Sequence, residues 1–555
     1  MSVARREKSR PSLEPGARSR DWGGRFPVAL GYPNTYAPGM SNLGFQTVYH
    51  LLCQEPKLAV ERFFLSERRP AAADRRLPVG TIVPTDGVTT RESRRLVTDA
   101  RLIVFSVSFE QDYLNLVSLL LDAGLSPWAA ERGENDPLVL VGGVVTFINP
   151  LPLARLVDGF LLGEGEEQIS LLAARLAGFA DVDLGRRELL AELAAVPGFC
   201  TAKALAAGKS PNLLPRARVD AFVPRTFVCP PPAEQVFADT LLLEVNRGCP
   251  RGCRFCAAGF VYRPFRNRRL SCLKEAIRAG VDAFGCSRVG LVGSALGDYP
   301  DLPELCRWLL AQGLTFTFSS LRIDTLDEEL LGLLLKAGVK LLTIAPEAGS
   351  ERLRRALRKD LSEELVLRQA ARIAAAGIGR LKLYFLIGLP GESKADLEAI
   401  IQLVRQIRQA MLADRARPQL NIALQVSINP FIPKPHTPLQ WAAFAPLEEL
   451  LAKQQFLRRE LRRIGGVELE MENPLSAAWQ ALLSRGGPEL ANPLLELAGQ
   501  GRSGRNRRLK GIVARYVGRL QSLDPAAALP WEFLAHSTPK EYLLKEYDGY
   551  RRIMS

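Results

Sequence analysis

A chain of 555 residues is too long for one ordinary hydrophobic core, so its length predicts two or three domains. Apolar residues make up 47% and charged residues 24%, a globular composition that excludes wholesale disorder. The net charge of +14 indicates weak, salt-sensitive attraction to nucleic acid or anionic surfaces. Without a long apolar window or a secretory leader, we expect no membrane insertion. Nine cysteines in so long a chain are no disulfide framework and favour a reducing, cytoplasmic location.

The N-terminal part of the chain predicts a tail followed by an α/β domain. Residues 1–25 are basic and lack apolar periodicity, which predicts a disordered tail. Apolar strands alternating with helical segments predict a doubly wound, Rossmann-like parallel sheet over residues 26–199. Its strands are expected at 26–30, 102–107, 138–145 and 159–162. Ligands bind at the carboxyl edge of such sheets, where the glycine-containing loops lie. The candidate cofactor-binding glycines are Gly142, Gly143, Gly163 and Gly165.

A second α/β unit is predicted after a linker. Residues 200–237 are rich in proline and irregular, which is typical of a linker. Six βα units then predict a partial (β/α)6 barrel over residues 238–440, with its chemistry at the carboxyl ends of the strands. The strand candidates are 241–245, 289–292, 316–319, 341–345, 382–387 and 424–428. Residues 441–555 have a mostly helical pattern.

The most informative segment follows the first of these strands and reads Asn-Arg-Gly-Cys-Pro-Arg-Gly-Cys-Arg-Phe-Cys over residues 246–256. The thiols of Cys249, Cys253 and Cys256 can wrap one face of an iron–sulfur cube and leave one iron without a protein ligand. Such an open site suits a cluster that binds a substrate or cofactor. Structural zinc is an alternative, although zinc normally takes four ligands and no fourth Cys or His lies nearby in sequence. Buried cysteines without a ligand are another.

This C-x3-C-x2-C loop after the first strand of a βα barrel resembles the loop of the radical S-adenosylmethionine superfamily. The similarity continues through Ser-Ser-Leu-Arg-Ile-Asp at 319–324, Ala-Pro-Glu-Ala-Gly-Ser-Glu-Arg at 345–352 and Ile-Gly-Leu-Pro-Gly-Glu at 387–392. Residues 238–440 resemble the branch shared by the tRNA methylthiolases, the elongator catalytic subunit and the nitrogenase-cofactor protein. In that superfamily the free iron chelates S-adenosylmethionine. One electron, from a reductant such as flavodoxin or ferredoxin, then cleaves it to methionine and a 5′-deoxyadenosyl radical.

The resemblance also implies roles for residues at the strand ends. Glu347 would contact the ribose or methionine of S-adenosylmethionine, and Ser320 and Arg322 would contact its carboxylate side. An ion pair between Glu347 and Arg322 at the barrel mouth is the alternative. The loop from Gly388 to Glu392 would shape the adenine pocket.

The second strand of the barrel departs from the family pattern. Members of the family end this strand in a Gly-Gly-Glu-like motif, whereas this chain reads Gly-Ser-Ala-Leu-Gly-Asp over residues 293–298. The residue that holds the methionine amino group is therefore open, and Ser294 and Asp298 are the candidates.

The first domain resembles the cobalamin-binding-like domain that precedes many radical enzymes, on the segments 141–143 and 158–166. The resemblance implies cobalamin as a further cofactor, approached closely by the glycine backbone. The Asp-x-His-x-x-Gly segment that supplies an imidazole to cobalt is absent. Bound cobalamin would therefore lack a protein histidine ligand. The alternative is a domain that has kept the fold without the cofactor.

Three functions are compatible with these features. The first is a radical enzyme that cleaves S-adenosylmethionine and uses cobalamin to methylate an unactivated carbon, which makes it a transferase. The second is a cobalamin-independent radical enzyme that modifies RNA, and the third is a non-catalytic iron–sulfur protein that binds nucleic acid. A methylthiolase is disfavoured because its second cluster needs three more N-terminal cysteines. The better candidate surface for an anionic or RNA partner is the basic loop Arg263, Arg266, Arg268 and Arg269.

Overall fold

The computed structural model describes residues 14–66, 87–210, 214–319, 321–413, 421–499 and 504–555. Its strands are β1 (Phe26–Tyr32), β2 (Leu58–Phe64), β3 (Leu102–Ser106), β4 (Leu138–Gly142), β5 (Gly159–Leu161), β6 (Phe199–Thr201), β7 (Thr240–Glu244), β8 (Asn246–Arg247), β9 (Arg266–Asn267), β10 (Arg288–Val292), β11 (Thr315–Phe318), β12 (Leu341–Glu347), β13 (Arg380–Ile387), β14 (Ala423–Pro430) and β15 (Val467–Met471).

The helices of the first domain are α1 (Tyr36–Met40), α2 (Leu43–Gln54), α3 (Tyr113–Asp122), α4 (Val145–Ile148), α5 (Gly165–Ala177), α6 (Arg186–Leu193) and α7 (Ala202–Ala206). Those of the second unit are α8 (Ala258–Val261), α9 (Leu270–Phe284), α10 (Leu302–Ala311), α11 (Glu328–Lys336), α12 (Glu351–Ala356), α13 (Glu363–Ala375) and α14 (Lys394–Leu412). The C-terminal helices are α15 (Leu447–Leu461), α16 (Pro474–Arg485), α17 (Ala491–Ala498), α18 (Arg505–Arg515) and α19 (Lys540–Met554). Among the helices of the described ranges, none has the length and apolarity needed to cross a membrane.

The first sheet has the strand order β2-β1-β3-β4-β5-β6. Every neighbouring pair is parallel except β5 and β6. Ala29 and Ile103 face one hydrophobic core, and their neighbours Val28 and Leu102 face a second core on the other side of the sheet. Burial of both faces is the reason that the strands have continuous apolar sequences. The predicted doubly wound parallel sheet is confirmed.

The chain before β1 is packed against this sheet from residue 14 onward. The carboxylate of Glu14 lies 2.5 Å from Nη2 of Arg62 and 2.7 Å from Nε of Arg91. The indole nitrogen of Trp22 donates a hydrogen bond to Glu61 at 2.9 Å. The prediction of a disordered tail is therefore wrong for residues 14–25, because buried ion pairs and an indole hydrogen bond hold them in place. Residues 1–13 lie outside the described residues.

The six predicted strands of the second unit are all present, and all pair in parallel. They form the sheets β11-β10-β7 and β12-β13-β14-β15. The strand β15, which is parallel to β14, extends the second sheet into the region where only helices were predicted. The carboxyl ends of these strands gather at one mouth, as expected for a partial barrel.

The segment between the two units is packed as well. Val228 is fully buried in the core of the first domain. Thr226 donates a backbone hydrogen bond to Leu242 of β7 at 2.9 Å. The described part of residues 200–237 thus contacts both units, which fixes the edge of one sheet near the edge of the other.

Candidate functional site

The three cysteines of the motif lie on the loop of residues 248–257, called the cysteine loop below, which follows the carboxyl end of the first barrel strand. All three are free and partly buried. Burial raises the pKa of each thiol, to about 11 for Cys256. The charge of Cys253 contributes to the raised pKa of both Cys249 and Cys256, which indicates that the three thiols share one small region.

The donor set of this loop, three free cysteine thiols, fits an iron–sulfur cube. Within the described ranges, no group of three or more His, Cys, Asp or Glu side chains is arranged to hold one metal ion. A cube distributes its cysteine ligands over different irons, so its thiolates need not converge on one point. Burial raises the pKa of the Cys253 thiol, and the charges of Lys359 and Arg322 oppose that rise. They would stabilise thiolate charge at the loop.

Glu347 ends β12 beside this loop and pairs with a lysine that sequence analysis did not identify. Its carboxylate lies 3.2 Å from Nζ of Lys359. Burial raises the pKa of Glu347, and Lys359 opposes the rise. Glu347 has a φ of 69°, and the residues on either side of Lys359, Arg358 and Asp360, have φ values of 57° and 49°. Such sparsely populated conformations cluster at functional sites. No local sequence motif marks Lys359.

Arg322 pairs with a different carboxylate. Its Nε and Nη2 donate to the two oxygens of Asp324, both at 2.9 Å. Its Nη2 also donates to the backbone carbonyl of Lys359 at 3.2 Å. The alternative of an ion pair between Arg322 and Glu347 is therefore wrong. Ser320 lies outside the described residues.

The two candidates for the methionine amino group have different surroundings. Asp298 accepts hydrogen bonds from Nε of Arg251 at 3.1 Å and from Nη2 at 2.5 Å. Because Arg251 lies between Cys249 and Cys253, this pair fixes the cysteine loop against the end of β10. Ser294 lines a cavity instead.

The two ends of the loop from Gly388 to Glu392 are hydrogen-bonded to each other. Glu392 accepts a hydrogen bond from the backbone nitrogen of Gly388 at 2.8 Å and forms an ion pair with Lys453 of α15 at 2.6 Å. A Cβ atom at Gly388 would lie 2.7 Å from Leu450. The structure therefore packs this loop against α15, and the side chain of Glu392 is bound within it.

A cavity of about 520 Å³ lies between the carboxyl edges of the first sheet and of the barrel. The first domain contributes the N-terminal part of α2, the ends of β3, β4 and β5, and the four predicted glycines. The barrel contributes residues 246–248, Tyr262 and Ser294. The wall from 246 to 248 leads directly into Cys249. The cavity thus connects the ligand edge of the first domain with the start of the cysteine loop.

The four positions of the cavity wall are occupied by glycine for two different structural reasons. Gly143 and Gly163 have φ values of 103° and 97°, which other residues rarely adopt. Gly142 and Gly165 line the cavity with room to spare, since a Cβ at Gly142 would come no closer than 3.7 Å to another atom. Close approach of a cofactor is therefore possible at Gly142. Gly143 and Gly163 are required by their positive φ and also by packing, because a Cβ would clash with the backbone of Val107 at the first and with Pro215 at the second.

None of the three histidines of the chain lines this cavity. His50 stacks on Phe227 with ring centroids 3.8 Å apart. The rings of His436 and His536 contact each other, with centroids 4.1 Å apart. Their ring Nε2 atoms lie 3.2 Å and 2.7 Å from carbonyls of α4. All three imidazoles therefore have partners within the protein, and that of His536 is the backbone of the cavity residue Phe147.

Buried ion pairs join the two domains next to the cysteine loop. Glu164, whose side chain is 2% exposed, accepts hydrogen bonds from Arg247 and Arg266, each from Nη1 at 3.0 Å. Arg247 also pairs with Glu166 at 2.5 Å and with Glu244 at 2.7 Å. Arg247 is two residues before Cys249, so these contacts couple the loop after β5 to the cysteine loop.

This arrangement removes two residues from the proposed basic surface. Arg266 is engaged with Glu164, and Arg268 is fully buried and paired with Glu244. Arg263 donates to the carbonyl of Gly259 at 2.6 Å. The prediction that this loop offers four arginines to an anionic partner is wrong, because Arg266 and Arg268 neutralise buried carboxylates.

Two family models match the chain. The model described as radical SAM proteins, N-terminal, matches residues 44–201, and the model described as the radical SAM superfamily matches residues 243–404. The second match contains the cysteine loop and the strand ends of the site. The chain belongs to the radical SAM superfamily, so it is an enzyme that uses a 4Fe–4S cluster and S-adenosylmethionine. The non-catalytic alternative is therefore wrong.

Several known proteins are similar to the chain. Uncharacterized protein MJ0966 of Methanocaldococcus jannaschii is 29% identical over 476 residues, which covers 84% of this chain and 90% of that protein. The tRNA-2-methylthio-N(6)-dimethylallyladenosine synthase of Cereibacter sphaeroides is 28% identical over 179 residues, 30% of this chain and 40% of that enzyme. Among solved structures, the radical S-adenosylmethionine methyltransferase TsrM of Kitasatospora setae has a TM-score of 0.49 and 14% identity, covering 89% of this chain and 99% of that one.

Proposed function

We propose that the protein is a cobalamin-dependent radical S-adenosylmethionine methyltransferase. The observation that carries the proposal is the cavity of about 520 Å³ between the two carboxyl edges. One wall is the edge at which doubly wound sheets bind their ligands. The other wall leads into the cysteine loop. Methylation of an unactivated carbon requires that a methyl donor and a hydrogen-abstracting group reach the same atom, and one shared cavity meets that requirement.

The residues of the site have distinct proposed roles. Cys249, Cys253 and Cys256 hold the cluster, and a small one-electron carrier such as flavodoxin or ferredoxin reduces it. Glu347 binds the ribose or methionine part of S-adenosylmethionine, which its position beside Cys253 supports. Of the two amino-group candidates, Ser294 is favoured, because Asp298 already pairs with Arg251.

The cobalamin would be bound without a histidine ligand. None of the three histidines lines the cavity, and the cavity wall from the first domain consists mostly of apolar side chains and glycine backbone. In electron paramagnetic resonance, bound cob(II)alamin should therefore show no coupling to a histidine nitrogen.

The test is the cobalt content of protein isolated from cobalamin-fed cells. Wild type should hold near-stoichiometric cobalt, whereas Gly142→Trp should lose about tenfold or more because the indole fills the cavity. Gly133→Trp is the matched control, since Gly133 belongs to the same domain and a Cβ there meets no atom within 4 Å. Both variants should keep their iron and release 5′-deoxyadenosine. Absence of cobalt from wild type with intact iron would show that the domain is only a scaffold.

A cobalamin-independent enzyme that modifies RNA is the second candidate. It is favoured by the similarity to a tRNA-modifying synthase over 179 residues and by the net charge of +14. In that case RNA should stimulate 5′-deoxyadenosine release by cobalamin-free protein.

A further inference from the structure

The C-terminal helix α19 packs against the outer side of the cysteine loop, although the two segments are 292 positions apart. Arg254, which lies between Cys253 and Cys256, donates from Nε to Oε2 of Glu546 at 3.0 Å. The other carboxylate oxygen of Glu546 lies 3.1 Å from Nη1 of Arg358. The side chain of Glu546 is 14% exposed, so this carboxylate lies mostly out of water between two arginines.

Other residues of α19 contact the same region. The hydroxyl of Tyr542 accepts a hydrogen bond from Arg358 at 3.0 Å. Gly549 approaches Arg254 so closely that a Cβ there would lie 2.7 Å from the guanidinium. The hydroxyl of Tyr550 donates to the carbonyl of Pro390 at 2.8 Å. The helix therefore contacts the cysteine loop and two further loops at the barrel mouth.

The carboxylate of Glu546 is what allows its two arginine partners to lie together. Arg254 also contacts the end of α12, with Nη1 donating to the carbonyl of Ala356 at 2.7 Å and its backbone nitrogen donating to the carbonyl of Leu357 at 3.0 Å. Arg358 directly precedes Lys359, the partner of Glu347. Removal of the negative charge would leave the buried Arg254 next to the more exposed Arg358 with no carboxylate between them, which favours opening of one of the loops.

We propose that α19 is a positioning element for the iron–sulfur cluster and that Glu546 is the residue that holds the cysteine loop closed between Cys253 and Cys256. Opening of this loop exposes thiolate ligands to exchange, so the rate of cluster loss reports how firmly the loop is held. The inference rests on the assignment of the three cysteines as ligands. It gives the C-terminal region a role in the active site without a contact to substrate.

The experiment measures how fast the holoprotein loses its cluster. Wild type, Glu546→Gln and Asp548→Asn are reconstituted anaerobically, and the visible absorbance of the cluster is followed after addition of EDTA. Asp548 is the matched control, because it belongs to the same helix, is 62% exposed and forms an ion pair with Arg551 at 3.8 Å. We expect equal initial iron contents, roughly tenfold faster loss for Glu546→Gln, and no change for Asp548→Asn. Loss of the cluster at the wild-type rate in Glu546→Gln would overturn the proposal.

Further variants separate positioning from general destabilisation. Tyr542→Phe removes only the hydroxyl that binds Arg358, and it replaces Glu546→Gln if that variant does not fold. It should speed cluster loss about twofold, with thermal unfolding of the apoprotein unchanged. A matching fall in the apoprotein's unfolding temperature would overturn the positioning role.

The ligand assignment is tested apart from the helix. The triple Ala variant of Cys249, Cys253 and Cys256 should hold no iron after reconstitution, whereas Cys272→Ala should hold the wild-type amount. Normal iron in the triple variant would reject the cysteine ligands. Normal cluster retention in Glu546→Gln would reject only the role of α19.

Discussion

At the scale of single residues, Glu347 combines three features that are rare together. It has a positive φ, it is mostly buried, and its carboxylate pairs with Lys359 at 3.2 Å. A carboxylate held in this way beside the cysteine loop is suited to accept hydrogen bonds from a polar cofactor. Positive φ values of residues other than glycine cluster at functional sites, which supports the proposed binding role of Glu347.

We expect Glu347→Gln to weaken binding of S-adenosylmethionine, because the substitution removes a charge-assisted acceptor worth about 1.5–3 kcal/mol. Titration calorimetry on anaerobically reconstituted protein measures this effect. Glu364→Gln is the control, since that carboxylate is 85% exposed on α13. Unchanged affinity in Glu347→Gln would remove Glu347 from the cofactor site.

Asp112 gives the molecule a pH-dependent term in its stability. Burial raises its pKa to about 6, and its Oδ2 has no hydrogen-bond partner among the described residues. This pKa is higher in the folded chain than in the unfolded one. The stability that the protonated carboxyl contributes is therefore fully present below about pH 4, and it is lost as the pH rises through about 6. Asp112→Asn removes this dependence.

The free energy of unfolding of Asp112→Asn, relative to that of wild type, should increase by about 1 kcal/mol between pH 5 and pH 8, which is the value of one pKa unit. Thermal unfolding of both proteins at the two pH values provides the comparison. Asp181→Asn, at a carboxylate that is 72% exposed, should show no such gain. An equal gain in both variants would mean that the net charge of the protein, and not Asp112, causes it.

At the scale of elements, the turn between β5 and α5 joins the two domains through Glu164. Its carboxylate is 2% exposed and faces Arg216, Arg247 and Arg266. Breaking a buried pair costs about 3–5 kcal/mol, because the remaining charges stay buried without a partner. The neighbouring Glu167 pairs with Arg218 at the surface, where its side chain is 49% exposed.

We therefore expect Glu164→Gln to lower the midpoint of thermal unfolding by several degrees and Glu167→Gln to leave it nearly unchanged. Differential scanning calorimetry on the apoprotein measures both. Because the chain has more than one domain, the first transition is the one to compare. Equal effects of the two substitutions would show that the ion pairs with Glu164 do not hold the domains together.

The elements also show why the sequence predicts some strands and not others. The strands β1, β3 and β4 were predicted because both of their faces are buried, which produces uninterrupted apolar runs. The strand β2 contains Glu61 and Arg62, and their partners Trp22, Glu14 and Glu92 are distant in sequence. The strand β15 alternates exposed glutamates with apolar residues, a pattern that lacks the apolar run used to find the other strands.

The residues of the site also fall into some that the sequence predicts and some that only the structure identifies. The cysteine motif is visible because its three residues are close together in the chain and their spacing alone suggests a cluster. Lys359 and Glu546 carry no such signal, since their significance depends on contacts with Glu347 and Arg254 that only the fold creates. Local spacing therefore predicts ligands, whereas the residues that orient them require the structure.

At the scale of the whole molecule, the cavity belongs to neither domain alone. Its walls come from two parallel sheets whose carboxyl edges face each other, and buried ion pairs fix that arrangement beside the cysteine loop. Each sheet alone would offer an open edge to water. Together they form a cleft that is bounded by both domains and lies next to the cysteine loop.

The overall charge bears on the choice between the two candidate functions. A net charge of +14 attracts RNA through its phosphates without regard to sequence, and such binding falls steeply with salt because counterions are released. The positive charge beside the cluster is not free to attract RNA at Arg266 and Arg268, because these two arginines form ion pairs with buried carboxylates. We therefore expect RNA to bind by charge alone, away from the reacting centre.

Labelled tRNA and an unstructured RNA of equal length should then bind with similar affinity, and both should weaken about tenfold or more between roughly 50 and 200 mM salt. Fluorescence anisotropy measures the binding. Neither RNA should raise the rate of 5′-deoxyadenosine release, because binding by charge alone places no base at the cavity. Stimulation by tRNA at the higher salt concentration in cobalamin-free protein, without stimulation by the unstructured RNA, would contradict this expectation. It would make RNA modification the better assignment, since only a specific complex keeps its effect when charge attraction is screened.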